Sequence, residues 1–346
     1  MKHIILIFLI LLTGCSKINM HDYLYPISIG IDYQNNEYII YMQLVSYSKI
    51  SKKENESIYD DNYEMIILKS NGKTIYSALN NLNNITKSEI STTHIRSFII
   101  GESLIVNNKE YLEIIRAFFD NNYLRSNINI FSTSSILDVY KASKIIDNTP
   151  YSNEINEPNL YHYLKPMNYL NFLKNVYDNR TCYLPFIIID KDSSSYVEEG
   201  KFKENYIIEI NGAYFINNKY HRYLSNDLLI GNYYFINREV LSIEIKDKFY
   251  VNIRKLKHNT TYKDKIIFNI DLINCTFYVN DITYLEATNL LRDKIKKDIN
   301  FTYNNCYNEI DIFNLNDYKT RYNINNEYDI NINIKYPTIN YSDRIK

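Results

Sequence analysis

ISIGIDYQNNEYIIYMQLVSY, residues 27–47, is the stretch that sets the fold class. Ile27, Ile29, Ile31 and Tyr33 alternate with smaller or polar residues, the period of a strand with one face in a core. Asn35-Asn36 follows, a pair that tolerates a tight turn, and β-favouring residues resume from Glu37 to Tyr47. The reading is a hairpin. A hairpin this early in the chain commits the first region to a sheet.

Working outward, the polar run 51–62 reads as a loop. Residues 72–84 place Ile75, Ala78, Leu79 and Leu82 on one helical face. Residues 94–100 read as a strand stopped by Gly101. Residues 108–122 read as a second amphipathic helix on Tyr111, Leu112, Ile115, Phe118 and Phe119. A strand at 127–131 and a helix at 134–142 continue an α/β alternation, compatible with a mixed or a parallel sheet. Pro150, Pro158 and Pro166 mark 146–166 as a loop or domain crossing, and helical spacing returns at 168–177. The polar stretch 190–205 has the composition of a linker. Beyond it strands dominate: 206–210, a hairpin around Asn217-Asn218, then 248–256, 265–273 and 275–279. One helix, 284–299, intervenes, with a stripe of Leu285, Thr288, Leu291 and Ile295. The chain then reaches EYDININIKY (327–336), where Tyr328, Ile330, Ile332, Ile334 and Tyr336 alternate. The expected class is α+β: two to three domains, mixed or antiparallel sheets with packed helices, and a strand-rich C-terminal half. The expected divisions are 1–14, 15–145, 146–200 and 201–346.

The chain has 346 residues, 45% hydrophobic and 23% charged, enough apolar material for real cores. Lys plus Arg number 39 and Asp plus Glu 40, so no basic footprint for nucleic acid exists. Only seven glycines occur, none close to another, which excludes a glycine-rich phosphate loop, a dinucleotide fingerprint and a G-x-S-x-G elbow.

The beginning of the chain carries a targeting signal. Met1-Lys2-His3 is a basic start, and Ile4–Leu12 is an apolar run too short to span a bilayer but suited to a signal-peptide core. Leu12-Thr13-Gly14-Cys15 is a lipobox: small residues before a cysteine, directly after the apolar run. The expectation is that 1–14 is removed and that Cys15 becomes a diacylglyceryl-modified first residue. A plain secretory signal is the alternative. Two acyl chains at about 0.8 kcal/mol per buried methylene anchor stably. The expected location is the outward face of the cytoplasmic membrane, with the membrane itself as partner through Cys15.

Catalytic and metal patterns are weak. Cys182, Cys275 and Cys306 are too dispersed for a disulfide framework or a zinc pattern, and read as buried thiols. His21, His94, His162, His221 and His258 show no ligand spacing. Asp60-Asp61, Glu198-Glu199 and Ser193–Ser195 read as solvated loop residues. Lys294, Lys296 and Lys297 fit a solvated helix end, with anionic lipid headgroups as the alternative. No cofactor, metal or catalytic activity is expected.

Four ordered blocks resemble the Ger(x)C spore germination lipoproteins, the C subunits of nutrient germinant receptors. They are the lipobox with Ile29-Gly30-Ile31-Asp32; Asn71–Ile75 leading to His94-Ile95-Arg96 and Ile99–Glu102; Asn211–Phe215; and Ile310-Asp311-Ile312-Phe313. The resemblance implies a three-domain α+β body without catalysis, lipid-anchored on the outer face of the spore inner membrane. It also implies two integral-membrane partners, the A and B subunits, and a role in nutrient-triggered germination. It singles out Gly30, Asp32, Gly72, His94, Gly101, Gly212, Asp311 and Phe313, as residues that hold the fold, beside Cys15 as the lipidation site. The rival reading is an extracytoplasmic solute-binding lipoprotein of an importer.

Overall fold

The structure is a computed structural model that describes residues 23–45, 65–86, 89–107, 110–120, 124–142, 163–164, 167–198, 201–217, 220–236, 238–245, 249–262, 264–279, 282–306, 310–313, 315 and 327–341. Cys15 and the loop read at 51–62 lie outside these residues, as does most of 146–166.

The first half of the fold is built in chain order from β1 (Tyr23–Leu24), β2 (Pro26–Gln34), β3 (Glu37–Val45), β4 (Met65–Gly72), α1 (Ile75–Thr86), β5 (Glu89–Ile90), β6 (Ser97–Gly101), α2 (Glu102–Asn107) and α3 (Tyr111–Asp120). Then come β7 (Asn129–Thr133), α4 (Ile136–Ala142), α5 (Tyr169–Tyr177), β8 (Cys182–Glu198), β9 (Lys201–Ile216) and β10 (His221–Leu224). Eight of these strands form one sheet in the order β10-β9-β8-β7-β6-β2-β3-β4. Its centre, β2-β6-β7-β8, is parallel, and an antiparallel pair closes each side. The sheet is therefore mixed.

The hairpin at 27–47 is β2–β3. Asn35 and Asn36 both take positive φ, 54° and 61°, and Gln34 pairs with Glu37, so two residues make the turn. Two left-handed residues match the right-handed twist of the strands they join, and asparagine tolerates that conformation. Two details differ from the sequence reading. A register shift between Pro26 and Ser28 moves Ile27 onto the opposite face from Ile29 and Ile31. Both faces of β2 are buried from Ser28 to Asp32, because helices cover both sides of the sheet's parallel centre. Helices α1, α3 and α5 pack with Ile29, Ile31, Phe98 and Ile130 on one face; α4 packs with Tyr41, Ile99, Phe131 and Ile187 on the other.

The helices at 75–86, 111–120, 136–142 and 169–177 form where apolar spacing predicts them, and Ile75, Ala78, Leu79 and Leu82 are buried as read. The strand read at 94–100 begins only at Ser97. Thr92–His94 is a 3-10 turn, so His94 does not open a strand. The stretch 190–205 is not a linker: residues 190–198 and 201–205 lie in the long β8 and β9 strands, which pair antiparallel from Ile187↔Ile210 to Glu198↔Lys201. Polar composition misled here, because a paired ribbon satisfies its backbone within itself. The first sheet accordingly runs through Leu224, past the division expected after residue 200.

A 3-10 helix, Asn226–Phe235, leads into β11 (Arg238–Ile245), β12 (Phe249–Tyr262), β13 (Ile266–Val279), α6 (Tyr284–Cys306), β14 (Tyr328–Lys335) and β15 (Thr338–Tyr341). β11-β12-β13 is an antiparallel meander, and β14 and β15 both pair parallel to β13. The two segments read at 265–273 and 275–279 are one strand, bent at Asn274, whose φ is 56°. α6 outruns its expected end by nearly two turns. It buries Thr288, Leu291 and Ile295 as read, together with Ala287, Ile299 and Thr302. Leu285 is 68% exposed and does not join that stripe. The alternation read through Tyr336 stops at Lys335, for Tyr336 takes φ 54° and is 76% exposed. The second half is thus strand-rich, and the fold is α+β.

Candidate functional site

Three of the singled-out residues, Gly30, Asp32 and Gly101, come together on the α4 face of the first sheet, where β2 and β6 run parallel. Ser28 begins the column. Its hydroxyl lies 2.9 Å from the Tyr140 hydroxyl of α4 and accepts from Ser97 Oγ at 2.8 Å. All three are fully buried, so each hydroxyl needs the others to replace water. Burial pushes the Tyr140 phenol well above its usual value, against a smaller opposing effect of the Ser28 hydrogen bond. Gly30 is next: a Cβ there would stand 2.7 Å from Ile136 Cγ2 and 3.2 Å from Tyr140 Oη. Its missing side chain is the seat of α4.

Asp32 ends the column and is 2% exposed. Its Oδ1 accepts from the Tyr33 amide at 2.8 Å and from Ser103 Oγ at 2.5 Å, and its Oδ2 accepts from Gln34 Nε2 at 2.8 Å. Ser103 sits in α2, so this carboxylate ties the end of β2 to the helix that follows β6. Gly101 is the residue that admits it, since a Cβ at 101 would fall on the carboxylate. Next door, Tyr214 donates to Glu102, and Phe186, Tyr214 and Tyr223 pack ring against ring at 5.1–5.7 Å. Burial, then the hydrogen bond to Glu102 and that carboxylate's charge, raises the Tyr214 phenol. These are neutral donors locked onto acceptors, an arrangement that fixes geometry.

The other singled-out residues stand apart. Gly72 ends β4 so close to α1 that a Cβ would press on Ser77 and Ala78. His94 is exposed, its ring edge-on to Tyr25 at 5.1 Å. Gly212, at φ +87°, lets β9 pass the carbonyl of Leu224, and its amide donates to Asn226 Oδ1 at 2.8 Å. Asp311 and Phe313 sit together beneath the second sheet. Asp311 Oδ1 accepts from the Leu315 amide at 2.7 Å, while the Phe313 ring packs at 4.5 Å on Phe235 and 5.9 Å on Phe268.

Sequence reasoning misses Ser28, Ser97, Ser103 and Tyr140, and it places Glu102 and Tyr214 in separate family blocks without joining them. Their partners lie about 70 to 112 positions away, and no local pattern signals such contacts. Ser28 alone had a usable hint, two residues before Gly30 on the same strand face.

Burial also governs the thiols. Cys182 and Cys275 are pushed up to about 12 and Cys306 to about 11. All three are protonated at neutral pH, the less nucleophilic form. Lys294, read as a solvated end or a lipid contact, instead donates to both oxygens of the buried Asp298 at 2.9 Å; Lys296 and Lys297 are exposed. Among the described residues no group of three His, Cys, Asp or Glu is placed to hold a metal ion, and no helix is long and apolar enough to cross a membrane.

The family model described as the spore germination protein N-terminal domain matches residues 16–189, which is half of the chain. The chain therefore belongs to the Ger(x)C family of spore germination proteins. The match runs from before β1 into the first half of β8 and includes the Gly30–Asp32–Gly101 column. No curated protein and no solved structure matches the chain at a significant level.

Proposed function

We propose that this chain is the lipid-anchored C subunit of a nutrient germinant receptor, needed for nutrient-triggered spore germination, and that it works by binding and positioning without a bond-making step. The observation that carries the reading is the family match over residues 16–189. It begins at residue 16, directly after Cys15, the residue that would become the first of the mature lipoprotein. In this reading Cys15 carries the diacylglyceryl group, the body faces outward from the spore inner membrane, and the A and B integral-membrane subunits are its partners. The buried, mutually satisfied polar column suits a rigid scaffold. The tether would keep that scaffold at high local concentration beside its partners.

The test is genetic and biochemical. Deleting the gene in its native spore-former should slow or abolish germination by the cognate nutrient and spare routes that bypass nutrient receptors. Cys15→Ala should lose a fatty-acid label and mimic much of the deletion. Pull-down from spore membranes should recover A- and B-type subunits. Normal germination with every nutrient, together with an empty pull-down, would overturn the reading.

A further inference from the structure

The two sheets are joined by an unusual connector. Asn226–Phe235 is ten residues of 3-10 helix, whereas such runs seldom exceed three or four residues. A run of that length is uncommon because its hydrogen-bond geometry is poorer than an α-helix's, so contacts outside the helix are expected to support it. Both of its ends are fastened by side chains.

At the first sheet, Asn226 makes two bonds to β9: its Oδ1 accepts from the Gly212 amide at 2.8 Å and its Nδ2 donates to the Ile210 carbonyl at 2.9 Å. At the second sheet the connector lies on α6. The Gly231 amide donates to Thr302 Oγ1 at 2.8 Å, and a Cβ on Gly231 would stand 2.6 Å from Ile299 Cα. One turn on, the Tyr234 hydroxyl donates to Asp298 Oδ2 at 2.9 Å, and Lys294 holds the same carboxylate. Between the two ends, one apolar cluster gathers Ala213, Phe215 and Leu224 of the first sheet, Leu229 of the connector, and Cys306 and Ile310 of the second half.

We propose that the 3-10 connector Asn226–Phe235 is a latch that couples the two sheets mechanically, gripping β9 through Asn226 and α6 through Gly231–Thr302 and Tyr234–Asp298. The coupling follows from the geometry. A 3-10 run gripped at both ends cannot relax at one end without changing the pitch that sets its contacts at the other. Loosening at Gly212 is therefore felt at Thr302, and the effect is reciprocal.

The experiment is amide hydrogen exchange on the full-length chain, arranged as a double-mutant cycle. Asn226→Ala cuts the grip on β9; Thr302→Val with Tyr234→Phe cuts the grip on α6 while keeping shape. Asn226→Ala should raise exchange at 298–306 at least five-fold, and should have no effect there once the α6 grip is cut. In the reverse direction, cutting the α6 grip should raise exchange at 210–214. Should Asn226→Ala fail to fold, that reverse arm with Thr302→Val alone gives the same decision. Exchange effects confined to the end mutated, or the same rise at 298–306 in both backgrounds, would overturn the proposal.

Discussion

Gly101 and Asp32 occupy one space: the carboxylate of Asp32 lies where a side chain at 101 would begin. β2 and β6 are parallel neighbours there, with Ile31 paired to Ile100 just before them. The absence of an atom at one position thus permits three hydrogen bonds at the other.

Gly101→Ala should therefore cost about 1–3 kcal/mol, the usual penalty of overpacking a well-filled site. Asp32→Ala should also destabilise, because Ser103 and the Tyr33 amide lose their acceptor. The double variant should lose less than the sum of the two, since the clash disappears with the carboxylate. Denaturant midpoints of the four proteins decide it; strict additivity would show that the overlap relaxes elsewhere.

Alkaline pH should weaken the fold. Cys182, Cys275 and Cys306 have thiols raised by burial to about 12, 12 and 11, against 9.0 when unperturbed. A raised folded value means the unfolded chain ionises first. The stabilisation is full below pH 9 and is lost as pH climbs towards those folded values, by about 1 kcal/mol per thiol at pH 10. The same burial should leave these thiols unlabelled by a maleimide at pH 8 until denaturant is added. Rapid labelling of the native protein would contradict the packing.

At the acid limb the contributor on the second sheet's outer face is Asp271. Burial works to raise its value. The hydrogen bonds from Lys335 and Asn333 and the charges of Lys335 and Lys257 outweigh that and hold it below the usual range. A depressed folded value gives stability that is present above the unfolded value and lost as pH falls through the folded one. Asp271→Asn should cost about 0.5 kcal/mol at pH 7, as partly exposed pairs do. It should also flatten stability between pH 5 and about 3, measured by urea titration at each pH.

Phe313→Ala should be the most damaging single change in the last family block, at about 3–5 kcal/mol, because the ring fills the space between Phe235 and Phe268. Asp311→Ala loses the hydrogen bond from the Leu315 amide, about 1–2 kcal/mol. A reversed order, read from thermal melts, would move the importance of this block from packing to the turn itself.

Features decided by neighbouring residues are legible in the sequence, and features decided by distant ones are not. The β2–β3 hairpin, α1 and the β9–β10 turn were readable because neighbouring residues decide them: two asparagines at positive φ, a stripe at helical spacing, and a polar pair between strands. The linker reading of 190–205 failed because composition cannot distinguish solvated chain from chain that pairs with itself. Leu285 failed because the stripe of α6 is set by where the connector and β13 lie, which no local window contains. Of the column at the first sheet, Gly30, Asp32 and Gly101 were named through a resemblance. Tyr140, which closes the column 112 positions from Ser28, was invisible until the fold brought α4 across it.

The pairing of β13 with β14 and β15 also orders events in time. β13 ends at Val279, yet its parallel partners are residues 328–341, so one of its edges waits for about fifty further residues to be synthesised. At 5–20 residues per second that is an interval of about 2–10 s. During it an Ile- and Phe-rich strand, IIFNIDLINCTFYV, presents an unpaired row of amides and carbonyls. Premature termination anywhere between α6 and β14 would freeze the chain in that state, as a nascent product suited to aggregation rather than as a shorter working protein.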